Sequence, residues 1–180
     1  MTPLVLLSGM MCDARLFGPQ IAAFGGRALH LAPLVGASSI QAMAAQILAE
    51  APPRFALAGL SMGGIVAMEV IAQAPARVER LALLDTNPCA ELPEVQARRA
   101  PQIARVLAGG LTEVMRDEMK PNYLTDGPDR DAILALCMEM ACALGPQVFA
   151  NQSRALRDRP DQQDTLRLVA VPTLVLCGRG

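Results

Sequence analysis

Tryptophan is absent from this chain of 180 residues, and tyrosine, lysine and histidine occur once each, as Tyr123, Lys120 and His30. With 16 basic against 17 acidic residues the formal charge is −1, which excludes the strongly basic surface that a nucleic acid or other polyanionic partner needs. Arginine supplies every basic residue except Lys120, a bias read as genome composition rather than phosphate binding. The five cysteines, Cys12, Cys89, Cys137, Cys142 and Cys177, form no C-x-x-C pair and have one histidine to join them. Metal-ligand spacings and a disulfide framework are therefore both lacking, and a reduced, cytoplasmic protein is expected. Near the N terminus the apolar run Leu4 to Leu7 is too short for a signal core or a bilayer span, so no membrane partner is expected. Internal repeats and low-complexity tracts are lacking too.

What the chain has instead is apolar residues, 52% of the total, which suits strands buried on both faces of a parallel sheet. PLVLLSG at 3–9, RFALAGLS at 54–61 and VERLALLDT at 78–86 read as strands, with a weaker run, RALHLAPL, at 27–34. Between them, FGPQIAAF, SSIQAMAAQILAEA and MGGIVAMEVIAQAP carry apolar residues at mixed three and four spacing. Ser38 or Ser39 offers an N-cap to the second of these, and Pro52 and Pro75 stop the second and third. Alternating strand and helix predicts an α/β fold, a mostly parallel sheet with flanking helices.

Beyond Asp85 the alternation stops. The segments EVQARRAPQIARVLAG, LTEVMRDEMK, DRDAILALCMEMACAL and PQVFANQSRALRD are helical, divided by Gly109-Gly110, Pro121, Gly127-Pro128 and Gly145-Pro146. VPTLVLCGRG then returns to strand character. The expected organisation is a core over 1–85, a helical cap inserted over 86–170 and a further core strand over 171–180. Within the cap, LCMEMAC at 136–142 is expected to pack internally and PNYLTDGPD at 121–129 to turn, while Asn151, Gln152 and Arg154 form a solvated helix face.

GLSMG at 59–63 matches G-x-S-x-G with a strand before it and a helix after it, the context in which that spacing marks a nucleophile elbow. Such a bend strains the serine backbone and leaves little room around it. Gly59 and Gly63 are expected to permit the turn, and Gly64 to let the helix pack closely. Ser61 then stands at the carboxyl end of its strand, where ligands bind in open α/β sheets. The first N–H groups of the helix lack intrahelical partners and carry the positive end of its dipole, so the N–H of Met62 faces a developing oxyanion. A second donor is expected from the loop SGMMCDARLF, where Gly9 turns the backbone inward and Met10 or Met11 presents its N–H. Each such donor is worth about 10²–10³ in rate. Cys12, with no adjacent His or Lys to activate it, is expected to be a small packed residue.

Together these segments resemble the α/β-hydrolase superfamily in its capped, esterase- and lipase-like branch, which includes carboxylesterases, enol-lactonases and carrier-protein methyl-ester esterases. The resemblance covers essentially the whole chain: LVLLSGMMCDARLF at the oxyanion loop, ALAGLSMGG at the elbow, RLALLDT as the next strand, VPTLVLCGRG as the strand after the cap. Ser8 departs from the pattern, standing where many relatives carry the histidine of an H-G pair. A serine hydrolase is implied, acting on a carboxylic ester, lactone or thioester of a small, fairly apolar substrate. Ser61 would be its nucleophile and Met10 and Met62 its oxyanion donors, with no metal or organic cofactor. Two further readings share the elbow: a non-catalytic domain binding a ligand or partner under the cap, and an acyltransferase.

The remaining triad members are harder to place. In this family the chain order is Ser, then Asp or Glu, then His, and the acid usually follows a strand resembling TLVLCGRG, here the end of the sequence. Asp85 is the candidate acid, by its position after LALLD; its other reading is to order the loop into the cap. His30 lies upstream, on a strand that the family's order separates from Ser61, and is expected to be a hydrogen-bonded structural residue. Losing a triad histidine costs roughly 10⁶ in turnover. The chain is therefore expected to be a fragment of a longer enzyme, or a truncated gene product, with little activity alone.

Overall fold

In the computed structural model, which describes residues 1–178 apart from the side chain of Asn122, the apolar runs form five strands. These are β1 (Leu4–Leu7), β2 (Leu29–Ala32), β3 (Phe55–Leu60), β4 (Val78–Leu84) and β5 (Thr173–Leu176). They form one sheet in the order β2-β1-β3-β4-β5, and every pairing is parallel. Arg179 and Gly180, the end of the segment expected as the last strand, lie outside the described residues. β1 is buried throughout and β3 over all but its last residue, which is why neither sequence alternates.

Three helices cover the sheet between these strands: α1 (Gly18–Ala23), α2 (Ile40–Glu50) and α3 (Met62–Gln73). Ser39 is the N-cap of α2, its hydroxyl accepting from the N–H of Ala42 at 3.2 Å. On one face Val5, Leu7, Phe55 and Leu57 pack with Met43 and Ile47 of α2 and Ile65 and Val66 of α3. On the other, Leu4, Leu6, Ala56 and Ala58 close over Phe17, with Leu16 and Ile21 beside it. Arg77 ties the end of α2 to the start of β3, donating to the carbonyls of Leu48, Ala51 and Pro52 and lying 5.6 Å above the Phe55 ring.

Between β4 and β5 the chain is helical: α4 (Pro93–Arg105), α5 (Leu111–Val114), α6 (Arg130–Arg157) and α7 (Gln163–Arg167). Gly109, at φ 103°, takes the first break, and Gly145, at φ 80° and ψ 175°, divides α6. By length and composition α6 could cross a membrane. The break, however, leaves helices over 130–144 and 146–157, each shorter than the roughly 20 residues that a spanning helix needs. β5 is exposed at all four positions, with Leu174, Val175 and Leu176 at 57%, 70% and 59%. It contributes backbone pairing rather than buried side chains.

The order of strands positions the site. From β1 the chain steps outward to β2, then returns past β1 to β3, so its direction across the sheet reverses between β1 and β3. A crevice opens at the carboxyl ends of strands on either side of such a reversal. The loop from Ser8 to Asp13 leaves β1 there, and Ser61 leaves β3.

Candidate active site

Ser61 joins β3 to α3 at φ 52° and ψ −115°, a conformation that costs a residue with a side chain about 1–3 kcal/mol. The surrounding backbone holds it there. Its N–H donates to the Leu84 carbonyl at 2.9 Å, and its carbonyl accepts from the Gly64 N–H at 2.9 Å and the Thr86 hydroxyl at 2.8 Å. The residue is exposed, and its own hydroxyl has no hydrogen-bond partner among the described residues.

The three glycines serve close approach rather than backbone freedom, since none has a positive φ. A Cβ on Gly59 would lie 2.2 Å from the Gly63 carbonyl oxygen, and one on Gly63 2.1 Å from the Leu7 oxygen. On Gly64 it would meet the Thr86 methyl at 2.6 Å.

In the loop after β1 the expected turning residue is displaced by two positions. Gly9 has an ordinary φ and space for a Cβ, with its nearest neighbours at 3.7 Å. Met11 is the left-handed residue, at φ 56°, within a turn closed by the Cys12 N–H donating to the Gly9 carbonyl at 3.2 Å. The N–H of Met11 is taken up by the Gln152 side-chain oxygen at 2.8 Å. Those of Met10 and Met62 have no partner among the described residues, so of the two loop candidates only Met10 keeps a donor to offer.

The helices between β4 and β5 hold this loop at four consecutive residues. Arg99 of α4 donates to the Met10 sulfur at 3.8 Å, Gln152 accepts from Met11, and the Asp13 N–H reaches the Met140 sulfur at 3.4 Å. Between them the Cys12 thiol is partly buried and hydrogen-bonded to Cys137, in keeping with the packed residue expected. That hydrogen bond, aided by burial, pushes the Cys12 thiol far up. The same bond, with Lys120 nearby, brings Cys137 down to about 7 against the opposing effect of burial. Tyr123 shares this neighbourhood and is pushed up by burial first, then by the two thiols.

Gln152 corrects the expectation of a solvated helix face, for it is 1% exposed. A signal was present in the spacing: Phe149, Gln152 and Leu156 recur at three and four residues, on the buried stripe of the helix.

Asp85 and His30 complete the sequence candidates. Asp85, at φ 42°, ends β4 beside Ser61, donates its N–H to the Leu176 carbonyl at 2.8 Å and accepts from the Gly178 N–H at 3.3 Å. His30 pairs with Val5, and β1 stands between its strand and β3. Strand spacing and rise put it about 10 Å sideways and about 13 Å along the sheet from Ser61. Its Nε2 is buried with no hydrogen-bond partner among the described residues, against the expectation of a satisfied structural histidine. The pleat turns His30 toward the face of Val5 and Leu57, which offer no polar atoms.

Residues 16–159 match the thioesterase-domain family. Over 97 residues the chain is 37% identical to the pimeloyl-[acyl-carrier protein] methyl ester esterase of Klebsiella pneumoniae subsp. pneumoniae, a match covering 48% of this chain and 37% of that protein's length. The structure superposes on a malate-bound thermophilic esterase from Thermogutta terrifontis with a TM-score of 0.86 at 25% identity, over 99% of this chain and 71% of the other. For the enol-lactonase from Burkholderia xenovorans LB400 the TM-score is 0.84 at 22% identity, over 98% and 72%.

Proposed function

Since the chain belongs to the thioesterase-domain family and has the α/β-hydrolase fold, we propose that it is a serine hydrolase cleaving a carboxylic ester, lactone or thioester through an acyl-enzyme on Ser61. One observation carries the reading: an exposed, strained Ser61 with an unpartnered hydroxyl stands at the sheet reversal together with the unpartnered N–H groups of Met62 and Met10. The Ser61 oxygen attacks the carbonyl carbon, and the carbonyl oxygen, becoming an oxyanion, accepts from both N–H groups. Their backbone is already fixed, so little reorganisation opposes the step. Collapse of the adduct expels an alcohol or thiol, which takes up the proton lost from the serine. Water then attacks the acyl-enzyme in the same way and releases the acid.

Asp85, which follows β4 beside Ser61, is the candidate acid in this reading, its other role being to order the chain around Leu176 and Gly178. His30, across β1, is not the triad histidine. No described histidine reaches Ser61, so residues 1–180 alone are expected to turn over slowly, by roughly the 10⁶ that a triad histidine supplies. The methyl ester esterases that the chain is similar to make a methyl ester of an acyl chain the first substrate to offer, and the family match keeps a thioester beside it. Free thiols at all five cysteines suit a reducing, cytoplasmic setting. A ligand-binding domain without catalysis is the second reading, favoured by the position of His30. The strain at Ser61 speaks against it, because a binding scaffold gains nothing from that conformation.

The test is hydrolysis of p-nitrophenyl and methyl esters of graded acyl length by the chain in its natural full-length context. Ser61→Ala is expected to lower kcat by at least about 10³-fold. Equal rates for the two proteins would overturn the reading.

A further inference from the structure

The geometry points to Gln152 as a positioning residue for the oxyanion hole: by holding Met11 it aims the N–H of Met10 at the substrate carbonyl. The inference rests on the acyl-enzyme reading of Ser61 and names the part of the cap that makes that site competent.

Gln152 lies on the second half of α6, beyond the break at Gly145. Its side-chain oxygen accepts from the Met11 N–H at 2.8 Å, and its side-chain N–H donates to the Leu34 carbonyl at 2.8 Å. Partner chemistry decides the orientation of this amide, because Met11 offers only a donor and Leu34 only an acceptor. One buried side chain thus joins the loop after β1, the loop after β2 and the cap.

Met11 needs such an anchor. A methionine at φ 56° does not rest there by local preference. Met10 precedes it in the turn from Gly9 to Cys12, so the conformation of Met11 fixes how the Met10 backbone faces the crevice. Packing does not do this alone. A cavity of about 210 Å³ lies against the loop, lined by Ser8, Cys12, Asp13, Phe17 and Leu34 among others, so the loop has space to relax into. The other cap contacts to Met10, Cys12 and Asp13 all involve sulfur, a weak hydrogen-bonding atom. Among the described residues, Gln152 makes the one cap contact to this loop that bonds backbone N–H to oxygen.

Three variants in the natural full-length context test the inference. Gln152→Leu keeps the bulk and removes both bonds. Gln152→Glu, as the neutral acid that burial favours, reproduces both bonds; once ionised it still accepts from Met11 but loses the donor to Leu34 and repels that carbonyl. Ser153→Ala, at a neighbouring position with a buried hydroxyl that has no partner, is the control. The readouts are the rate of Ser61 modification by a fluorophosphonate, and amide hydrogen exchange across residues 10–13 and α6.

Gln152→Leu is expected to slow modification by about 10²–10³-fold, the worth of one oxyanion donor, with α6 still protected. Gln152→Glu should stay within about tenfold of wild type at low pH and fall behind it as pH rises. Ser153→Ala should match wild type. If Gln152→Leu reacts within about threefold of wild type while the Met11 amide exchanges freely, the positioning role is overturned and the acyl-enzyme reading stands. Should Gln152→Leu lose protection throughout α6, the Gln152→Glu variant decides, and a rate that stays parallel to wild type at a pH where its Met11 amide exchanges freely overturns the role. A wild-type protein that is not modified at Ser61 overturns both readings together.

Discussion

Thr86 donates its hydroxyl to the carbonyl oxygen of Ser61 at 2.8 Å, while its methyl carbon stands 2.6 Å from the place where Gly64 would carry a Cβ. The residue that leads from β4 toward α4 therefore braces the elbow from one side and sets how near α3 comes from the other. Thr86→Val keeps the branched shape and loses the bond, an expected cost of about 1 kcal/mol. Gly64→Ala forces the two chains apart, at about 1–3 kcal/mol. Urea unfolding of both single variants and the double variant checks the contact, and the effects should be non-additive by at least about 0.5 kcal/mol.

Gly63, packed against Leu7 and Ser8, and Gly9, beside Leu60 and Ser61, should respond in opposite ways. An added Cβ at Gly63 would lie 2.1 Å from the Leu7 carbonyl oxygen, a backbone atom that cannot swing aside; at Gly9 the nearest atoms are 3.7 Å away. Gly63→Ala is expected to lose more than about 3 kcal/mol or fail to fold, and Gly9→Ala to stay within about 1 kcal/mol of wild type. Thermal unfolding of the pair measures the contrast.

That contrast bears on what the residue pattern alone can reveal. β1 and β3 were legible because strands covered on both faces carry unbroken apolar runs, β4 through its apolar second half, Leu81 to Leu84, and β2 was weaker because it is a half-buried edge. Ser61 was legible because the crowding around it admits only glycine at three nearby positions. Left-handed backbone is assigned by default to glycine, so the loop reading fell on Gly9, whereas a tertiary bond imposes it on Met11. Gln152 was hidden because a polar residue on a helix reads as solvated, and its partners are 141 and 118 positions away in the chain.

Glu91 holds two guanidinium groups. Arg99 meets it with two bonds, at 2.7 and 2.9 Å, and Arg159 with one at 3.1 Å, and the three side chains are 3%, 10% and 11% exposed. Burial pulls Arg159 below its ordinary pKa, with Glu91 opposing that fall. Glu91→Gln leaves two buried cations without a counter-charge, an expected loss of about 3–5 kcal/mol in urea unfolding. Arg99 also touches Met10, so the fluorophosphonate reaction should slow in the same variant.

Asp13 opens the turn Ala14–Phe17, accepting from the Arg15 N–H at 3.0 Å and meeting its guanidinium at 2.6 Å. The Arg15 side chain, more than any other cause, holds the Asp13 carboxyl below its ordinary value. Because the folded value is the lower one, the stabilisation is fully present above the ordinary carboxylate pKa of about 4 and is lost as pH falls through the folded value. Asp13→Asn keeps a good cap and removes the charge. Its urea midpoint should therefore lie below wild type near neutral pH, with the gap closing as pH falls through the lowered value of the folded carboxyl.

The most direct measurement is mass-spectrometric mapping of the residue modified when the full-length protein reacts with a fluorophosphonate. One phosphonyl group, carried on the peptide containing Ser61 and lost in Ser61→Ala, is the expected result. Modification elsewhere, or none under conditions in which the protein hydrolyses an ester, would contradict a nucleophile at the end of β3.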